Sequence, residues 1–148
     1  MDKINYIHFV GIKGVGMASL AIMAKEAGFE VAGSDISETF ITDIILKKNG
    51  ITPLTGFNSS NFIEFIKDSS KFSVLVITTA AHGGFENLEC LKAKAMGVRV
   101  ISHGEAVGEM MQGKIFDRLD FEGVSVAGSH GKTTISGMIA SCLLNLGL

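Results

Sequence analysis

The stretch that most limits what this chain can fold into is its opening. A short apolar run (YIHFV, residues 6–10) empties into Gly11-Ile12-Lys13-Gly14-Val15-Gly16, and a helix-patterned segment follows over residues 17–27. Gly28 ends that helix, and a second run (EVAGS, residues 30–34) delivers Asp35. Strand, glycine turn, helix and strand make a βαβ unit, which commits the chain to a parallel sheet. The glycines let the backbone turn tightly and let a diphosphate approach the amides at a helix N-terminus, where the partial positive charge favours an anion. The spacing is G-x-x-G-x-G, whereas the dinucleotide fingerprint is G-x-G-x-x-G with an acid about 20 residues on. Asp35 stands where that acid belongs. The loop therefore reads as a Rossmann-like nucleotide site of open ligand identity, against an alternative in which the glycines serve only turn and packing. Lys13 either adds charge to a phosphate or is a solvated loop lysine.

The alternation continues beyond Asp35. Phe40, Ile41, Ile44 and Ile45 line one face of a second helix, with Lys47 and Lys48 in its last turn and Asn49-Gly50 as its stop. Residues 52–55 form a short third strand, and Asn61 with Glu64 makes a capping box before Phe62, Phe65 and Ile66. The run FSVLVIT (residues 72–78) is continuously apolar, as a strand buried on both faces requires. Leu88, Leu91 and Ala95 mark the next helix, ended by Gly97. Residues 98–102 form another strand, and Ser102 with Glu105 caps a helix through Met111. The fold class is α/β: a Rossmann-like open, mainly parallel sheet with helices on both faces.

Residues 113–122 crowd Gly113, Lys114, Asp117, Arg118, Asp120 and Glu122 together, which reads as a polar connector after a first domain of residues 1–112. A new strand over 124–127 then leads to Gly128-Ser129-His130-Gly131-Lys132-Thr133-Thr134. In such a loop the amides wrap phosphate oxygens, the lysine neutralises them and the following hydroxyl holds Mg²⁺. Val126 occupies a glycine position of the strict G-x-x-x-x-G-K-[ST] pattern, so what remains is G-x-x-G-K-T-T between a β-rich run and a helix. That helix carries Ile135, Met138, Ile139, Cys142, Leu143 and Leu146 at helical spacing, a stripe that one βα unit cannot cover. Residues 123–148 thus read as the truncated start of a second, P-loop-type domain, and the chain as the front of a longer protein.

Composition excludes other classes. Among the 148 residues hydrophobic ones make up 47% and charged ones 19%, enough for a packed core. The longest uncharged stretch, residues 133–148, is too short and too polar for a span of about 20 apolar residues. The N-terminus carries no export signal, which implies a cytoplasmic protein. A net charge of −2 gives no general attraction to nucleic acid or anionic membrane. Cys90 and Cys142 stand apart without metal-ligand spacing and read as reduced core thiols. His8 reads as a packed strand histidine, His82 as a loop residue, and His130 as part of the second loop.

The opening YIHFVGIKGVGM, then Gly33-Ser34-Asp35, then Gly128-Ser129-His130-Gly131-Lys132-Thr133-Thr134 about one domain later, resembles the Mur ligases of peptidoglycan synthesis. Among these it is most similar to the branch that joins L-alanine to UDP-N-acetylmuramate. The branch that recycles murein tripeptide is the alternative within the family, and an NAD-binding Rossmann module the alternative outside it. The resemblance implies an ATP-dependent, amide-forming ligase using ATP and Mg²⁺, of which this chain supplies the sugar-nucleotide domain and no complete catalytic set. It implies that Gly11 and the loop Gly14-Val15-Gly16-Met17 hold the UDP diphosphate and that Ser34-Asp35 meet the uridine side. Thr78, Thr79, Ala80, Asn87 and His103 take the remaining sugar-nucleotide positions. Residues Gly128, Ser129, His130, Gly131, Lys132, Thr133 and Thr134 take the ATP positions, with Lys132 neutralising phosphate and Thr133 on Mg²⁺. Lys13 replaces a customary glycine, Leu88 a proline and Thr78-Thr79 two serines, while His82-Gly83-Gly84-Phe85 looks like an insertion.

Overall fold

A computed structural model describes residues 4–61, 73–116 and 122–147. Strands β1 (Ile4–Val10), β2 (Glu30–Asp35), β3 (Leu54–Thr55), β4 (Ser73–Thr78) and β5 (Arg99–Ser102) form one all-parallel sheet in the order β3-β2-β1-β4-β5. The chain winds outward from β1 in one direction, then returns to start β4 on the other side. The β1/β4 boundary is therefore the point where the topology switches, and in open α/β sheets ligands bind in the crevice beyond the strand ends there. Val10 pairs in register with Ser34 and Thr78, and Thr78 with Ser102. The residues that follow each strand consequently gather at one edge of the sheet.

The described elements also include helices α1 (Val15–Glu26), α2 (Ile41–Lys48), α3 (Leu88–Ala95), α4 (His103–Met111) and α5 (Lys132–Asn145), and a 3-10 turn over Ala81–Glu86. Side chains alternate across a strand, so Ile7 and Phe9 of β1 face one way and His8 and Val10 the other. The first face is the main core, where Ile7, Phe9, Leu75 and Ile77 pack under Met17, Leu20 and Ala21 of α1, Leu46 of α2, and Ala106 and Met110 of α4. The second face is thinner, with Val10 and Val76 under Cys90 and Ala93 of α3.

Several expectations need correction. The apolar face of α2 is turned to solvent: Ile41 is 77% and Ile44 70% exposed, while Thr42 and Leu46 are buried. The Thr42 hydroxyl donates to the Lys13 carbonyl at 2.6 Å, and that tie fixes the helix rotation. In α3 the exposed residues are Leu88 and Leu91, and the buried ones Glu89, Cys90 and Ala93. The third strand is only Leu54–Thr55, the part that pairs with Ser34 and Asp35. Beyond residue 112, Ile115 and Phe116 are buried in the main core, and the Phe116 ring lies 5.5 Å from Phe29.

No strand forms over residues 124–127, since no described strand lies beside them to complete a ladder. Helix α5 forms as expected, yet none of its residues is buried, and Cys142 is exposed where a core thiol was expected. Glu64 of the expected capping box, the apolar residues Phe62, Phe65 and Ile66, and Phe72 fall among residues 62–72, outside the described residues. Asn61 is described, and its side-chain amide donates to the Gly56 carbonyl and to Glu89. No helix among the described residues is long and apolar enough to cross a membrane.

Candidate functional site

The edge where β1, β2, β4 and β5 end encloses a pocket of about 420 Å³, within the usual size of a small-ligand site. Its floor is the glycine loop. Gly11 takes φ +84°, and a side chain there would meet the Thr79 methyl at 2.8 Å. The amides of Gly11 and Ile12 both donate to the Ser34 carbonyl, at 2.9 and 3.1 Å. The Lys13 amide donates to Asp35 Oδ2 at 2.7 Å, and the Ile36 amide to Oδ1 at 2.8 Å. The first half of the loop is thus bolted to the end of β2.

The second half is left open. Gly14 is the N-cap of α1 and provides no side-chain cap, and the Ala18 amide closes the first turn on the Gly14 carbonyl. The amides of Val15, Gly16 and Met17 are those that helix geometry leaves without an intrahelical acceptor. They carry the positive end of the helix dipole into the pocket. Gly16 lies directly under His103: a Cβ there would stand 2.9 Å from His103 Nε2, so the imidazole would have to move aside.

Of the residues expected to bind the sugar nucleotide, Gly11, Gly14, Val15, Gly16, Met17, Asp35, Thr79 and His103 line the pocket. Ser34, Thr78, Ala80 and Asn87 do not, and three of them have structural work instead. Ser34 is fully buried and its hydroxyl donates to Glu89. The Thr78 hydroxyl donates to the Thr79 and Gly84 carbonyls. Asn87 caps α3 by accepting from the Glu89 amide, and donates to the His82 carbonyl at 2.9 Å.

Lys13 is neither a phosphate counter-charge nor solvated. Its ammonium donates to the carbonyls of Ile36 and Glu38, at 3.0 and 2.8 Å, and pairs with Asp43 at 3.2 Å. It also lies 5.9 Å above the Phe40 ring, which lines the pocket. The Phe40 amide, seconded by Lys13, holds the Asp43 carboxyl below its ordinary value. This clamp sets the loop between β2 and α2 as one wall. The capping box of Ser102 with Glu105 starts α4 and so aims His103, which is its first residue. The same capping amide and hydroxyl hold the Glu105 carboxyl low.

Sequence reasoning missed Phe40 and His82 as wall residues, and Glu89 as support. Glu89 is fully buried behind the loop. One oxygen meets His8 Nε2 at 2.8 Å and the Ser34 hydroxyl, and the other accepts from the Asn58 amide and the Asn61 side chain. Burial pushes this carboxyl up, but the donors from His8, Ser34 and Asn58 together hold it below its ordinary value. His8 is the packed histidine its strand position implied. Its need for a buried partner was the signal that an acid had to lie opposite.

The second loop is exposed throughout. Gly131 caps α5 with φ +77°, and the Lys132 ammonium folds back onto the Gly128 carbonyl at 2.7 Å. Ser129, His130, Thr133 and Thr134 stand around it in the open.

Comparison with known proteins agrees with this geometry. The family described as "Mur ligase family, catalytic domain" matches residues 6–115. The UDP-N-acetylmuramate–L-alanine ligase of Carboxydothermus hydrogenoformans is 39% identical over 95% of this chain and 27% of its own length. That of Aquifex aeolicus is 37% identical over 99% of this chain and 29% of its own length. Among solved structures, the UDP-N-acetylmuramate:L-alanyl-gamma-D-glutamyl-meso-diaminopimelate ligase of Neisseria meningitides superposes with TM-score 0.76 at 30% identity, over 98% of this chain and 41% of that one. A murein peptide ligase from Psychrobacter arcticus gives 0.74 at 27% identity, over 96% and 27%. The chain spans a little over a quarter of the curated relatives it matches.

Proposed function

From the premise that this chain belongs to the Mur ligase family, we propose that it is the UDP-N-acetylmuramate-binding front of a ligase that joins L-alanine to that sugar nucleotide. The observation that carries the reading is the floor of the pocket: three helix amides without intrahelical acceptors, aimed into a crevice at the switch point of the sheet. The relatives support the ligand independently. Alanine-adding and murein-peptide ligases differ in their amino partner, yet the printed names of the former and of the Neisseria enzyme share UDP-N-acetylmuramate. Identities of 37–39% to the alanine-adding enzymes favour L-alanine as the acceptor.

The whole ligase would use ATP and Mg²⁺. The residues of the second loop fit a nucleotide phosphate: a left-handed glycine precedes a bare helix start, and the lysine reaches back over the loop. Lys132 would neutralise phosphate charge and the Thr133 hydroxyl would hold the metal. We place the domain boundary after Phe116, with residues 123–148 as the start of the ATP-binding domain. ATP would supply the phosphoryl group that activates the lactyl carboxylate of the sugar nucleotide, leaving as ADP, while the first domain would position that sugar nucleotide.

Thermal melting tests the assignment. UDP-N-acetylmuramate at a hundredfold excess over its Kd should stabilise the folded chain by about 2.7 kcal/mol, and NAD should leave its Tm unchanged. Stabilisation by NAD alone reverses the assignment. In a phosphate-release assay with all substrates, the 148-residue chain by itself should show no ligase turnover.

A further inference from the structure

The pocket wall carries four ionisable side chains, Lys13, Asp35, His82 and His103. A bound diphosphate would bring negative charge beside the Asp35 carboxylate, so a cation is needed. Lys13 cannot provide it, because its ammonium is spent on two carbonyls and on Asp43, and its side chain is 9% exposed. The two imidazoles remain. His103 Nε2 sits over the first turn of α1, 2.9 Å from the position of a Cβ on Gly16. His82 comes from the opposite side: its ring lies 3.7 Å from a Cβ position on Gly11, and its Nε2 3.8 Å from Asp35 Oδ1.

The chain holds His82 there at some cost. It is the only non-glycine residue with positive φ among the described residues, at φ 55° and ψ 36°. Left-handed backbone crowds a β-carbon against the following carbonyl oxygen. The ring also packs at a tilt against Phe57, with centroids 5.1 Å apart and planes inclined by 33°. Asp35 does not depend on it, since each carboxylate oxygen already accepts a backbone amide. The imidazole is 32% exposed toward the pocket mouth.

We propose that a diphosphate seated on the amides of Val15, Gly16 and Met17 is clasped between His82 and His103, and that these rings take up protons from solvent as it binds. The inference rests on the sugar-nucleotide reading above. The other charges nearby do not supply the switch. Asp43 is tied to Lys13, Glu105 is turned to Ser102, Glu89 is wrapped by its donors behind β2, and Glu38 is exposed. The diphosphate of a UDP-sugar stays fully ionised across the imidazole range, so protons taken up near neutrality belong to the protein. An anion beside an imidazole favours its charged form. Affinity is therefore greater at about pH 6 than at about pH 9.

The test is titration calorimetry of the whole chain with UDP-N-acetylmuramate from pH 6 to 9, in pairs of buffers that differ in ionisation heat. A one-unit coupling weakens binding about tenfold per ring over that span, with net proton uptake near pH 7. H82N, in which asparagine tolerates the left-handed backbone, and H103N should each remove their share of the uptake while keeping the melting curve. Binding with equal affinity at pH 6 and 9 and no proton uptake overturns the inference alone, as does unchanged uptake in both variants. Absence of binding at every pH overturns the sugar-nucleotide reading and this inference with it.

Discussion

The chain uses one device twice, a glycine turn feeding a helix N-terminus, and the two copies have different surroundings. At the first, Gly11 and Ile12 are bonded to Ser34, Lys13 to Asp35, and His103 presses on Gly16. At the second, no strand forms over residues 122–127, none of α5 is buried, and among the described residues Lys132 bonds only carbonyls of its own loop. Glycine spacing thus makes a phosphate loop available, while neighbours from other strands make it preorganised. The first loop has those neighbours within the described residues and the second does not.

The sharpest way to break this contrast is to remove a distant support of the first loop. Glu89→Ala leaves the donors of His8, Ser34, Asn58 and Asn61 buried or half-buried without their acceptor. It should cost about 3–4 kcal/mol in denaturant unfolding. Lys132→Ala, which removes the matching contact of the second loop, should change stability by less than about 0.5 kcal/mol. Equal effects would mean that the two loops are supported alike.

Gly11→Ala is next in size. It forces a left-handed alanine against the Thr79 methyl and should cost about 2 kcal/mol of global stability. Gly131→Ala meets only Ile135 at 3.9 Å. It should loosen the start of α5, read by circular dichroism, without moving the main unfolding transition. Thr42→Val then removes the bond that orients α2 against the loop, with an expected loss of about 1 kcal/mol.

The smallest effect is on pH dependence. The folded state holds the Glu89 carboxyl below its ordinary value, so its contribution is fully present above the unfolded carboxylate range. That contribution is lost as pH falls through the folded value. Glu89→Gln should flatten the acid limb of a stability–pH curve, and an unchanged slope would show that the carboxylate is not the titrating support.

Much of this was legible in the residues alone. The strand, glycine turn, helix and second strand over residues 4–35 follow from local patterning, as do the Ser102 cap and the stops at Gly28 and Gly50. Patterning failed where a polar contact overruled it. Helix α2 shows its isoleucines to solvent because Thr42 is tied to Lys13, and α3 buries Glu89 rather than Leu88 because a carboxylate is needed opposite His8 and Ser34. Periodicity identifies a helix and its stripe, but not which side the rest of the fold will hold. The same limit hid His82, whose place over the crevice depends on a left-handed turn through Gly83 and Gly84.

Chemical-shift mapping of the backbone amides during titration with UDP-N-acetylmuramate locates the diphosphate seat residue by residue. The account predicts that the largest perturbations fall on Val15, Gly16 and Met17, with NAD producing none there. Perturbations confined to the loop from Gly128 to Thr134, or NAD engaging the α1 amides instead, would contradict it.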